Sequence, residues 1–254
     1  MSLPTSKTQV SADLDRAFWL FFGPPGVGKS TVCSEFPDPI FATTEQAHRH
    51  LQIFNRPIKS WPDFKAFVLE MQTKDGQRFR SICIDTIDNL YKLCLENTCE
   101  EAGIDHPSDQ AFGKGYDLVN TAMQREIVKL TLLGKGIFFV SHAKQVEVTS
   151  RNMKYSKTVP SMQGGCHKII LPLVDFEAYV GFSSIDVNQR AAIFEPREAL
   201  EAKDRFGKMP KEVILPKGRS YEALKKAWSG DKSVAAPANT ASVPTAVRRV
   251  VRKT

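Results

Sequence analysis

Residues 23–30 read Gly23-Pro24-Pro25-Gly26-Val27-Gly28-Lys29-Ser30 and fill every fixed position of G-x-x-x-x-G-K-[ST]. Glycines at this spacing let backbone N–H groups close around phosphate oxygens. Lys29 is the side chain that would reach the outer phosphates. The Ser30 hydroxyl would hold Mg²⁺, with Thr31 as the lesser substitute. The flanks suit the motif. Phe18-Trp19-Leu20-Phe21-Phe22 is a short apolar run that predicts a buried strand, and Lys29 to Phe36 lacks Gly and Pro and can open a helix. A chance match in a Gly/Pro turn would not carry both flanks.

A second carboxylate-bearing element follows. Ser81-Ile82-Cys83-Ile84-Asp85 is an apolar strand ending in Asp85, the form of a Walker B element that would hold the same cation. Asp88 lies close by and reads as an N-cap or a solvated carboxylate. Glu45 ends the strand after the P-loop helix, where a carboxylate can orient water as a base. A surface Glu starting a helix is the plainer alternative. His142 ends the apolar strand Gly136–Val140 plus Ser141, where a polar side chain can report on the outer phosphate. A capping histidine is the alternative there.

These residues need elements to place them. Strands are expected at 16–22, 39–42, 79–85 and 136–140, with helices opening at Trp61-Pro62 and running over 90–102 and 116–133. The alternation predicts an α/β fold with a mainly parallel sheet covered by helices on both faces. In such sheets ligands gather at the carboxyl ends of the strands, where the loop, Glu45, Asp85 and His142 all fall. After residue 143 the pattern changes. Val146–Thr149 and Lys154–Val159 read as a hairpin, and Phe176–Phe182 and Arg190–Phe194 as an antiparallel extension. Residues 1–15 read as a flexible lead, 16–228 as the core, and 229–254, rich in Ala, Pro, Ser and Thr, as a disordered basic tail.

Composition sets the outer bounds. Of 254 residues, 42% are hydrophobic and 25% charged, values of an ordinary globular protein. No apolar run is long enough to span a membrane, and the N-terminus carries no signal-peptide core, so a cytoplasmic protein is expected. Five cysteines in apolar or helical contexts read as reduced thiols. Without a C-x₂-C pair, a zinc site from Cys94, Cys99, His142 and His167 is not favoured. The last 26 residues carry five basic side chains against Asp231, so they hold +4 of the net +7 and leave the body about +3. That balance permits a polyanionic partner without requiring one.

Lys144, Arg151, Lys154, Lys157 and Tyr155 crowd the expected hairpin. Such a segment can track a phosphate backbone and stack a base, although a solvated hairpin would look similar. The tail Arg248-Arg249-Val250-Val251-Arg252-Lys253 would add salt-sensitive affinity, or bind a partner such as a single-strand binding protein.

The ordered set Pro39-Ile-Phe-Ala-Thr-Thr-Glu45, Ile84-Asp85-Thr-Ile-Asp88, Phe138-Phe-Val-Ser-His142, Gly164-Gly165 and Lys203-Asp-Arg205-Phe-Gly207 resembles the RecA-like ATPases. Within them it is similar to phage-encoded nucleotide-binding proteins related to single-strand annealing recombinases, over residues 16–228. The resemblance implies an ATP- and Mg²⁺-dependent hydrolase in which Glu45 is the catalytic glutamate, Asp85 the Walker B aspartate and His142 the polar sensor. The segment after the sensor would be a loop for single-stranded DNA. Lys203 and Arg205 would reach the ATP of a neighbouring subunit in a ring or filament; a solvated turn is the alternative. Thr86 follows Asp85, where hexameric AAA+ enzymes place a Glu. Much of the terminal apparatus of RecA is missing, so annealing or accessory work in host cytoplasm is the safer implication. A nucleotide kinase shares the loop, but no Arg-rich lid is found, and an ATP-switched DNA-binding module with negligible turnover is the third reading. No D-x-x-G follows the P-loop at a position that suits a GTPase, and no LSGGQ-like ABC stretch appears.

Overall fold

The computed structural model describes residues 13–46, 49–150 and 153–230. In chain order the elements are β1 (Phe18–Gly23), α1 (Lys29–Ser34), β2 (Pro39–Thr43), β3 (Phe54–Pro57), α2 (Trp61–Glu70), α3 (Lys74–Gln77), β4 (Ser81–Asp85), α4 (Ile87–Ala102), α5 (Lys114–Thr131), β5 (Gly136–Ser150), β6 (Met153–Pro160), α6 (Gly164–Leu173), β7 (Phe176–Phe182), β8 (Arg190–Ile193), β9 (Lys203–Asp204), β10 (Glu212–Ile214) and α7 (Ser220–Trp228).

The main sheet runs β10-β8-β7-β1-β5-β4-β2-β3. From β7 through β3 every neighbouring pair is parallel. β8 and β10 extend it antiparallel beyond β7, and β9 pairs antiparallel with the amino end of β7. β5 sits between β1 and β4, so His142 comes between the P-loop and the Walker B carboxylate. This is the expected mixed α/β architecture, a mostly parallel sheet flanked by helices.

Strand alternation builds two cores. Leu20, Ile82, Ile84, Ile137 and Phe139 face α2, α4, α5 and α6, while Trp19, Phe21, Cys83, Phe138 and Val140 face α1 and α7. Each fully buried side chain of this size contributes about 1.5–3 kcal/mol. Trp19 stacks on Phe176 with centroids 4.2 Å apart, tying the amino ends of β1 and β7 together. All five cysteines are free and buried. Burial pushes the Cys94 thiol up to about 12, so it packs as a small neutral hydrophobe.

Of the lead expected over residues 1–15, residues 1–12 lie outside the described residues, and its end is packed. Leu14 and Asp15 are buried in a 3-10 turn, because Leu14 O accepts from Trp19 Nε1 at 3.1 Å and Asp15 pairs with Arg80 at 3.1 Å. The tail expected from 229 onward lies outside the described residues, apart from Ser229 and Gly230.

Candidate active site

β1 ends at Gly23 because the chain must pass within contact of β7. A Cβ on Gly23 would lie 2.1 Å from Val180 O. Pro24, Pro25 and Gly26 form an exposed crest, and Val27 is buried beneath it. Gly26 and Gly28 take φ +75° and +94°, the left-handed region that glycine occupies without strain. Gly28 then serves as the N-cap of α1. Lys29 is 6% exposed, and its Nζ donates to Gly23 O and Pro24 O, each at 2.9 Å. Burial lowers its pKa, while Asp85, Asp88 and Glu45 act in the opposite direction. The ammonium is thus held against its own loop by neighbours that favour the charge.

Ser30 is the hydroxyl that meets Walker B: its Oγ donates to Asp85 Oδ2 at 2.5 Å. Asp85 is 3% exposed at the end of a wholly buried strand. A hydroxyl and a carboxylate locked together beside a glycine-lined loop suit a hard cation shared with phosphate oxygens. Among the described residues no cluster of three or more His, Cys, Asp or Glu forms an all-protein metal cage. The donor set therefore fits a cation completed by a nucleotide and water, as Mg²⁺ is commonly held.

Glu45 comes from the segment after β2. Its Oε1 accepts from Asn89 Nδ2 at 2.9 Å and Thr86 Oγ1 at 3.1 Å, and lies 3.4 Å from His142 Nε2. Four strands thus bring their residues together: Thr43 pairs with Asp85 across β2–β4, and His142 pairs with Gly23 across β1–β5. Lys29, Ser30, Glu45, Asp85 and His142, the residues named from the sequence, lie together at this end of the sheet. His142 Nδ1 is buried without a partner among the described residues.

Asp88 differs from its sequence reading. It is not a solvated or capping carboxylate but is 9% exposed and clasped from three sides. Ser141 Oγ donates to Oδ1 at 3.1 Å, Ser161 Oγ donates to the same oxygen, and His142 N donates to Oδ2 at 3.3 Å. It fastens the start of α4 to the root of the hairpin. The apolar alternation around it gave no hint of this, since its partners lie 53 or more residues away.

Arg190 was not expected at the site. From β8 its Nη1 approaches Gly28 O at 3.5 Å and its Nη2 approaches Ser220 Oγ at 3.4 Å. It links the flank of the loop to the first residue of α7. A lone Arg at the start of a strand carries no sequence signal for this.

Lys203 and Arg205 stand elsewhere. Lys203 Nζ donates to Leu171 O at 2.7 Å and Val174 O at 2.8 Å, and Arg205 pairs with Asp175 at 3.1 Å. Lys203 and Asp204 pair with Glu177 and Phe176 at the amino end of β7, the end of the sheet away from the loop. Within one chain they secure the C-terminal end of α6 and do not reach the P-loop.

The expected basic segment forms the hairpin β5–β6, but it does not present one basic face. Register places Tyr155 and Lys157 on one side and Lys154 on the other. Lys144 donates to Met162 O at 3.2 Å, and Lys157 pairs with Glu201 at 3.6 Å. Lys154 is exposed. Arg151 lies outside the described residues.

No helix among the described residues is long and apolar enough to cross a membrane. A search of curated proteins returns no match to this chain. A family model described as an AAA domain matches residues 16–206. That span holds the P-loop, the Walker B strand, Glu45 and His142, so the chain belongs to the AAA-domain family of P-loop, nucleotide-hydrolysing proteins.

Proposed function

We propose that the chain is a Mg²⁺-dependent ATPase of the RecA-like type that binds single-stranded DNA and assists recombination or annealing, in a phage setting. The observation that carries this reading is the contact of Glu45 Oε1 with His142 Nε2. It joins a carboxylate placed to orient water to the residue from which β5 runs on, unbroken, into the hairpin. Turnover at the loop and the state of the hairpin then share one strand.

Bound Mg–ATP supplies a transferable γ-phosphate and a cation that neutralises the charge developing on it. The chain's own residues do the rest. The N–H groups of the loop and Lys29 would hold phosphate oxygens, and Ser30 and Asp85 would hold the cation. Glu45 accepts a proton from water, and Asn89, Thr86 and His142 set the direction of its carboxylate. His142, through its backbone N–H on Asp88, is fixed at the root of the hairpin.

Lys203 and Arg205 lie at the far end of the sheet from their own loop, which suits delivery to a neighbour's site. A head-to-tail contact of that kind builds a ring or a filament with ATP at the interfaces. In the hairpin, Lys154 and Tyr155 are the side chains on offer to a strand. The basic tail would add sequence-independent affinity or engage a single-strand binding protein.

The test is ATP hydrolysis with and without single-stranded DNA, in the wild type and in Lys29→Ala. DNA-stimulated turnover that Lys29→Ala abolishes is expected. Turnover indifferent to DNA would overturn the coupled mechanism.

A further inference from the structure

A cavity of 580 Å³ opens on the side of Glu45 away from the P-loop, between the ends of β2 and β3 and the first turns of α4. Its size lies within the range of pockets that take a small ligand. The nucleotide of the P-loop does not account for it, because that site is built on β1, β5 and β4. Its floor is apolar, from Pro57, Ile58 and Leu93. Asn55 and Asn89 line it, and amides offer both donors and acceptors to a heterocycle. Lys59 and Lys92 line it as well, and both are exposed. An apolar face, amides and ammonium groups are the complement of a base and its phosphate.

Both amides already have partners: Asn55 Oδ1 accepts from Thr43 Oγ1 at 2.7 Å, and the bond of Asn89 reaches the Glu45 carboxylate. Asn89 Nδ2 donates to Glu45 Oε1 at 2.9 Å, and Lys92 Nζ approaches Asn89 Oδ1 at 3.4 Å. A ligand that engages Lys92 and Asn89 therefore competes with the bond that directs the Glu45 carboxylate.

We propose that this cavity binds a nucleoside phosphate unit, free or within a strand, and that its occupancy redirects Glu45 and so sets the hydrolysis rate. The regulatory half rests on the ATPase reading above; the binding half does not. A strand unit and a free nucleotide share the chemistry, and the probes separate them.

The experiment uses the full chain saturated with a non-hydrolysable ATP analogue, titrated with thymidine monophosphate and, separately, with oligothymidylate. Lys92→Glu reverses the charge at the rim, and Leu93→Trp fills the floor. Neither residue lies at the P-loop, so affinity for the ATP analogue should stay as in the wild type in both; basal hydrolysis should stay so in Leu93→Trp, whereas Lys92→Glu also removes the bond to Asn89. Affinity for at least one probe should fall about tenfold or more in both variants. Loss for thymidine monophosphate identifies a free nucleotide as a ligand, and loss for oligothymidylate alone identifies a strand unit. Binding that is unchanged in both variants, or no binding of either probe to the wild type, overturns the cavity as a site. In a parallel run with ATP in place of the analogue, transfer of γ-phosphate to thymidine monophosphate overturns the regulatory role and makes the cavity an acceptor site. If wild-type hydrolysis is indifferent to DNA while probe binding is still lost in the variants, the coupled ATPase fails and the cavity stands.

Discussion

Glu45 and His142 are 97 residues apart in sequence and meet at 3.4 Å, across the end of the strand that lies between theirs. The pairing works because β4 ends two residues short of both, at Asp85. The carboxylate, the imidazole and the Ser30–Asp85 pair thus stand side by side on adjacent strands. Each can be substituted singly.

Glu45→Gln keeps the size of the side chain and removes the base. Hydrolysis should fall by a factor of about 10²–10³, while affinity for the nucleotide stays nearly constant. Single-turnover hydrolysis beside equilibrium binding checks this. An equal loss in both would mean that Glu45 contributes only to binding.

Gly28→Ala strikes the loop itself. The residue sits at φ +94°, and its Cβ would lie 2.0 Å from Arg190 Nη1. An alanine there carries about 1–2 kcal/mol of backbone strain and pushes Arg190 away. Nucleotide binding should be lost while thermal unfolding shifts by only a few degrees. Calorimetric titration and a melting curve together test this; normal nucleotide affinity would sink it.

Asp88→Asn leaves the volume unchanged but sets an amide among groups that donate to it. Ser141, Ser161 and the His142 N–H lose their charged acceptor. A loss of about 2–3 kcal/mol in urea unfolding is expected. A stability within experimental error of the wild type would remove Asp88 from its structural role.

Glu177 sets a pH dependence. It is 1% exposed on β7 with Oε1 unpartnered among the described residues, and burial, with Glu201 nearby, pushes its carboxyl up to about 7. The folded chain then keeps a proton that the unfolded chain releases between its ordinary 4.5 and about 7. Stability from this group is full below that window and declines as pH rises through it. Glu177→Gln should flatten the decline, stabilising the chain by about 2–3 kcal/mol at pH 8 relative to the wild type. Unfolding titrations from pH 5 to 8 decide it, and parallel curves for the two proteins would refute the assignment.

The sequence was most legible where local chemistry and local geometry coincide. The loop glycines, the strand ending in Asp85, the apolar run that leads to His142, and β7 over Phe176–Phe182 could all be read from patterns within ten residues. The helix α6 was not seen, because it opens on Gly164-Gly165 and carries Pro172, residues that read as breakers. β3, β9 and β10 have four residues or fewer and owe their pairing to strands far away. β5 reads as two strands with a gap at Ser141–Gln145, because its polar half lies outside the main sheet, yet it is one continuous strand. The roles of Asp88 and Arg190 depend on contacts at long separation, which no local pattern encodes.

That continuity has a mechanical consequence. From His142 to Ser150 the strand advances eight residues, about 26 Å at the usual rise. A stiff arm of that length, pivoted where His142 meets Glu45, magnifies angle into travel. A tilt of a few degrees at His142 would move the far end by an ångström or more.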